Sequence, residues 1–234
     1  MAGELWTVNL GVVEYREAWA LQERVRAARQ ADAIPDTLLI LEHPPVYTRG
    51  RRSQPGELVM GEDWYRAQGL DIVDVDRGGL LTYHGPGQLV GYPIMRVAEL
   101  MAYVQTMERA IVAALADEGI ADARGRSADG REYIGAWIEE RKIASIGVHR
   151  SLGVTTHGFA VNVDNDLAPF GWVVACGLPG VTMTSVAQEV GSDGHLPCFR
   201  KRMAFRFAEA FGRRQRLISA ARLKAAIAGD RVPA

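Results

Sequence analysis

Apolar and polar positions follow two rhythms along the chain. Residues 5–10, LWTVNL, and 70–75, LDIVDV, read as strands, the second by its alternation with a period of two. Residues 36–43, DTLLILEH, make a short apolar run ending at His43-Pro44-Pro45, which predicts a buried strand leading into a turn. In VEYREAWALQERVRAARQA, 13–31, Tyr15, Trp19, Val25 and flanking alanines recur at helical spacing and predict an amphipathic helix. A second helix, of about five turns, is predicted from Glu99 to Glu118 and is closed by Gly119. Two β-type runs, 132–140 and 142–150, are separated by one residue and predict a hairpin; 155–163 predicts another strand, followed by a polar turn, DNDLAPF, into a short helix. VTMTSVAQEV predicts a helix capped by Thr182 or Thr184. FRKRMAFRFAEAFGRRQRL, 199–217, predicts another, with Phe199, Met203, Phe207 and Phe211 on one side. Arg49 to Gly56 is basic, contains Pro and Gly, and is expected to be a loop.

Hairpins interleaved with helices do not make a regular βαβ alternation. The expected class is α+β, a mixed β-sheet with packed helices, in one domain spanning 1–234. Composition changes this little: 48% hydrophobic and 24% charged residues are ordinary for a soluble globular chain. Two cysteines, Cys176 and Cys198, are too few for a disulfide framework and fit the reducing cytoplasm. The start, MAGELWTVNLG, has neither a basic segment nor a long apolar one, so no signal peptide is expected. No apolar run approaches the ~18 residues of a membrane span.

Charge does change the picture. The net charge is −1, but residues 199–234 carry a balance of +8 against −9 for residues 1–198. This basic helical C-terminal segment reads as a packed helix with a solvated basic face, or as a docking surface for an acidic partner. Nucleic acid does not fit, because the remainder is acidic and no aromatic and basic residues interleave.

Three stretches carry candidate chemistry. DRGGLLTYHGPGQLVGYP, 76–93, holds five glycines and two prolines, and glycine lets a backbone approach a ligand closely. Tyr83 and His84 put polar tips beside it; the alternative is a glycine-rich hairpin of structural importance. It lacks the G-K-[ST] ending of a phosphate-binding P-loop. Lys142, in RKIASIGVH, is the only lysine of the first 198 residues, among sixteen arginines. Lysine can give up its proton where arginine cannot. It is a candidate proton shuttle, or simply an exposed lysine at a strand end. Cys176, in VVACGLPG, sits in a Gly/Pro turn before an expected helix start, where a thiol's pKa falls from ~8.5 towards neutrality. Thiolate is the nucleophile that acyl transfer needs. The alternative for Cys176 is a small buried hydrophobe; Cys198 reads as structural, and His43 and His149 as structural or surface residues. Cys176, His84 and His157 are too far apart in sequence for a ligand motif, so no metal is expected.

These stretches resemble the octanoyltransferase family of protein lipoylation, from about Leu38 to Val190. RGGLLTYHGPGQLVGYP resembles its R-G-G-x-x-T-[YW]-H-G-P-G-Q signature, KIASIGVH its K-[IV]-A-[AS]-[IL]-G block, THGFAVNVDNDLAPF its H-G block and ACGLPGVTMTSV its P-C-G block. Ala175 departs from the family, which has Pro before the cysteine. The resemblance implies a fold similar to the lipoate and biotin protein ligase catalytic domain, here roughly residues 36–215. It implies Cys176 as acyl-thioester nucleophile and Lys142 as its partner, lowering the thiol's pKa and shuttling the proton. Arg77, Gly78, Gly79, Leu80, Leu81, Thr82, Tyr83 and His84, then Ala144, Ser145 and Ile146, then His157, Gly158 and Phe159, would line the acyl pocket. Leu80, Leu81, Val90 and Ile146 suit an eight-carbon tail.

The implied donor is octanoyl-acyl carrier protein. The implied acceptors are lipoyl domains of 2-oxoacid dehydrogenases and the glycine cleavage H protein. No cofactor, nucleic acid or membrane is implied. An ATP-dependent lipoate or biotin ligase would share the glycine loop and the lysine but has no use for Cys176. A non-catalytic module holding acyl groups would need neither Lys142 nor Cys176.

Overall fold

The computed structural model describes residues 3–173 and 181–229. Its centre is a mixed sheet in the order β12-β1-β2-β6-β10-β9-β8-β7. These strands are β1 (Glu4–Val12), β2 (Asp36–Glu42), β6 (Gln88–Ile94), β7 (Arg124–Gly125), β8 (Gly135–Ile138), β9 (Arg141–Ser151), β10 (Val154–Asn162) and β12 (Arg214–Leu217). β1 runs parallel to β2 and β12, and the pairs from β2 through β7 are antiparallel. The short β11 (Thr182–Met183) adds to β9 in parallel. A second sheet, β4-β3-β5, joins β3 (Val46–Arg49), β4 (Asp71–Asp74) and β5 (Leu81–His84).

Helices cover both faces of the large sheet, so its central strands are apolar on both sides. α3 (Leu100–Ala116) and α5 (Leu196–Ala210) pack Met107, Ile111, Phe199, Met203 and Phe207 against Leu38, Ile40, Leu89 and Phe159. α1 (Tyr15–Gln30) and α6 (Ala220–Ala228) pack Ala18, Leu21, Val25 and Leu223 against Leu39, Leu41, Val90 and Ile94. α2 (Glu62–Ala67) closes the small sheet, where Tyr47, Tyr65, Tyr83 and Phe170 make an aromatic cluster.

The mixed-sheet expectation holds, and the predicted strands, the hairpin and the first two long helices are present. Four local expectations are corrected. The segment starting at Arg49 is preceded by an unforeseen strand, β3. The glycine-rich run is not one hairpin: β5 and β6 flank Gly85-Pro86-Gly87 but belong to different sheets. The helix after the cysteine segment is α4 (Val186–Val190), capped by Ser185, whose hydroxyl accepts from Gln188 N at 3.2 Å; Thr182 lies in β11 and Thr184 just after it. The C-terminal basic helix stops at Ala210, and RQRL pairs with β1 as β12.

The basic face is largely neutralised from within. Arg200 pairs with Glu42 at 2.8 Å, Arg202 with Glu118, Arg206 with Asp117 at 2.7 Å and Arg213 with Asp36 at 2.9 Å. This favours a packed basic face over a docking surface. No helix of the described residues is long and apolar enough to cross a membrane.

Candidate active site

The motif segments meet at the sheet's open middle. β9 pairs with β8 only as far as Ser145, which leaves its edge free at Gly147 and Val148. The Arg77-Gly78-Gly79 loop fills that edge, with Gly78 N donating to Val148 O at 3.0 Å. Arg77 is tied down in turn: Nη2 donates to Thr48 O at 2.6 Å and Thr48 Oγ1 at 2.7 Å, and Nη1 donates to Gly78 O at 3.0 Å. On the other side of β9, β10 runs so close to β6 that a Cβ at Gly158 would lie 2.1 Å from Gly91 O. Only glycine fits there, and the ring of Phe159 occupies the space a side chain at Gly91 would take.

Between these segments lies a cavity of about 640 Å³, within the range of small-molecule sites. Its described wall includes Arg77, Gly78, Gly79, Leu80, Leu81, Thr82 and His84, Lys142, Ser145 and Ile146, and His157, Gly158 and Phe159. Three residues expected there lie elsewhere. Tyr83 turns into the aromatic cluster of the small sheet, Ala144 into the core beneath α3, and Val90 into the core beneath α1. Tyr83 and Ala144 each neighbour a wall residue in sequence, and alternation along a strand sends them to the opposite face. Further apolar wall comes from Leu100, Met101 and Val104 of α3 and from Ile134, Val148 and Ala160.

Lys142 reaches the cavity from a buried position, only 3% exposed, with Nζ 5.1 Å from the centre of the Trp137 ring. It is thus not an exposed strand-end lysine. β11 sets Met183 opposite Lys142, and Thr184 N donates to Lys142 O at 3.0 Å. Cys176 lies outside the described residues; Met183, seven positions after it, is beside Lys142.

A buried polar network joins the motif blocks to one another. His84 Nδ1 donates to Gln88 Oε1 at 2.7 Å. Gln88 Nε2 donates to Tyr83 O at 3.2 Å and Asn162 Oδ1 at 2.9 Å, which fixes the amide's orientation. Asn162 Nδ2 donates to Thr184 O at 3.0 Å. The glycine loop, β10 and the segment around Thr184 are therefore held by one chain of hydrogen bonds. Burial, with His43 and Arg77 nearby, pushes the His84 pKa down to about 3. The ring is neutral, so its Nε2 is an acceptor.

A second network was not foreseen. His157 has a left-handed backbone, φ +57°, unusual for a side-chain-bearing strand residue. Its N donates to Gln22 Oε1 at 2.7 Å, Nε2 donates to Asp76 Oδ1 at 2.7 Å, and Nδ1 faces Tyr15 Oη at 3.4 Å. Burial lowers the His157 pKa although Asp76 opposes this, while the histidine hydrogen bond lowers that of Asp76. Tyr15, pushed up to about 12 by burial, also lines the cavity with Tyr92. Tyr92 Oη donates to His43 Nε2 at 2.7 Å, and His43 Nδ1 donates to Val13 O at 2.7 Å. Tyr15 and Gln22 come from α1, more than a hundred residues from His157, and no motif announces them.

These histidines give a pH signature. His43, with a pKa pushed down to about 4 by burial, and His84, at about 3, stay neutral in the fold while the unfolded chain takes up protons below ~6.5. Stability is therefore full above ~6.5 and falls as pH drops towards 4, by about 1.4 kcal/mol per pH unit for each such histidine. Thermal midpoints measured from pH 7 to pH 4.5 should decline steadily; a flat profile would contradict the neutral assignment.

Among the described residues no group of three or more His, Cys, Asp or Glu is placed to hold a metal ion.

Comparison with known proteins fits this geometry. The family model of the lipoyl protein ligase A/B catalytic domain matches residues 14–208. An octanoyltransferase of Acidothermus cellulolyticus is 46% identical over 194 residues, 78% of this chain and 81% of that protein. A lipoate-protein ligase A solved with ATP superposes with a TM-score of 0.76 at 18% identity, over 98% of this chain and 94% of that one. A biotin protein ligase from Aquifex aeolicus, solved with biotin and ATP, gives 0.50 at 14% identity, over 89% and 70%. The structural likenesses establish the fold; the sequence likeness reaches the octanoyltransferases.

Proposed function

Because the chain belongs to the lipoyl protein ligase A/B catalytic domain family, and within it matches the octanoyltransferases, we propose how its residues carry out octanoyl transfer. The donor is the octanoyl thioester of acyl carrier protein. The Cys176 thiolate attacks the thioester carbonyl, a new C–S bond forms, and the oxyanion collapses with expulsion of the carrier's thiolate, which takes up a proton. An acceptor lysine amine of a lipoyl domain, in a 2-oxoacid dehydrogenase or the glycine cleavage H protein, then attacks the acyl-Cys176. It loses a proton, forms the amide and releases the Cys176 thiolate. Thioester to thioester to amide runs downhill without ATP.

Lys142 is the group that moves these protons. As an ammonium it favours the thiolate; as an amine it takes the proton from the attacking lysine. The observation that carries this reading is the buried Lys142 on the wall of an apolar cavity, with Met183 seated beside it. Leu80, Ile146, Phe159 and Val104 supply the surface for the eight-carbon tail, whose burial gains about 0.8 kcal/mol per CH₂. The neutral His84 and the Asp76-oriented His157 add fixed polar tips near the carbonyl end. The chain works as one catalytic unit in the cytoplasm, where Cys176 stays reduced.

The test is transfer of octanoyl from octanoyl-acyl carrier protein to a purified lipoyl domain without nucleotide. Product without ATP supports the reading. Product only from free octanoate plus ATP would make the chain an adenylating ligase.

A further inference from the structure

Most arginines of the C-terminal segment are matched by acids of the same chain, as above. Three others, Arg51, Arg52 and Arg131, are exposed, line the cavity, and have no ion-pair partner among the described residues. They come from separate segments. Arg51 and Arg52 are held along the glycine loop, Arg51 N donating to Arg77 O and Arg52 N to Gly79 O, both at 3.1 Å. Arg131 opens the short helical turn Arg131–Tyr133 on the way to β8. One acid, Glu132, shares that wall, so the exposed rim remains net positive. Inside it the wall turns apolar at Leu100, Val104, Ile146 and Phe159.

The cavity therefore has a cationic entrance and an apolar interior. Exposed guanidinium groups that line one cavity, outnumber its acid and have no ion-pair partner among the described residues make a site for an external anion, and the planar fork matches phosphate oxygens in pairs. The acyl tail has no charge to offer there. Resting on the transferase reading above, we propose that Arg51, Arg52 and Arg131 bind the phosphate group of the donor's thiol arm, positioning the thioester while the tail fills the interior. The rim then selects phosphate-bearing pantetheine thioesters, and the rest of the carrier protein adds to that selection without replacing it.

The test uses three donors with the full chain: octanoyl-acyl carrier protein, octanoyl-phosphopantetheine and octanoyl-pantetheine, with lipoyl-domain octanoylation as readout. The wild type should prefer octanoyl-phosphopantetheine over octanoyl-pantetheine in kcat/KM by roughly tenfold to a hundredfold. In Arg51→Ala/Arg52→Ala, and separately in Arg131→Ala, that ratio should fall towards one. The ratio compares two donors on the same protein, so partial loss of folded enzyme cancels. An unchanged ratio in both variants overturns the proposal. So does a loss confined to the carrier-protein donor, which would assign the arginines to the carrier's acidic surface. Turnover by the wild type with none of the three thioesters would instead bring down the transferase reading, and the donor-arm site with it.

Discussion

Lys142→Met should lower the rate of octanoyl transfer by about 10²–10⁴-fold, the usual worth of a positioned proton-transfer group, while the thermal midpoint moves by only a few degrees. Methionine keeps the length of the stem and its packing over Trp137, so the cavity wall survives. What disappears is the charge and the exchangeable proton. Lys142→Arg separates these two: arginine keeps the charge but holds its proton at any working pH. The account predicts that Lys142→Arg is as poor as Lys142→Met in transfer to the acceptor lysine. Near-normal transfer by Lys142→Arg would mean that the site needs only a cation. Steady-state rates and thermal denaturation on the same preparations read both effects.

Asn162→Leu should be strongly damaging although it touches neither Lys142 nor Cys176. Asn162 is 2% exposed, and its amide links Gln88 to Thr184 O. Leucine leaves a Gln88 N–H, the Thr184 carbonyl and the Asn165 amide short of a partner. Buried polar groups left unpaired cost about 1–3 kcal/mol each where they cannot relax, so a total of about 3 kcal/mol is expected. At roughly 2–4 °C per kcal/mol for a chain of this size, the midpoint should drop by about 6–12 °C. Because Thr184 and Met183 seat the segment beside Lys142, activity at a temperature where the variant is folded should fall too. A double-mutant cycle with Gln88→Leu should be non-additive by about 1 kcal/mol or more, since both substitutions break the same chain.

Much of this was legible in the sequence wherever the signal was local. Strands β2, β9 and β10 announced themselves by apolar or β-branched runs, α1 and α3 by helical spacing, and the motif blocks by their glycines and polar residues. What escaped was set by distant contacts. RQRL has no apolar alternation; it is a strand because β1 offers a free edge, and the Gly212 turn, φ +59°, ends the helix before it. The glycine-rich run looks like one hairpin locally, yet Gly85-Pro86-Gly87 passes the chain from one sheet to another. Tyr83 and Ala144 belong to motifs but point away from the cavity, because adjacent strand residues face opposite ways. Asp76, Tyr15 and Gln22 became visible only once the fold set them around His157. The basic tail read as a possible docking face because its acids, Asp36, Glu42, Asp117 and Glu118, are far away in sequence.

The central claim is that an octanoyl group rests on Cys176 between donor and acceptor. Intact mass spectrometry of the full chain after mixing with octanoyl-acyl carrier protein, without ATP and without acceptor, tests it most directly. The account predicts a single octanoyl adduct, labile to hydroxylamine, mapping to Cys176 and missing from Cys176→Ser. No adduct on the wild type, in a preparation that still octanoylates a lipoyl domain from that donor, would contradict it.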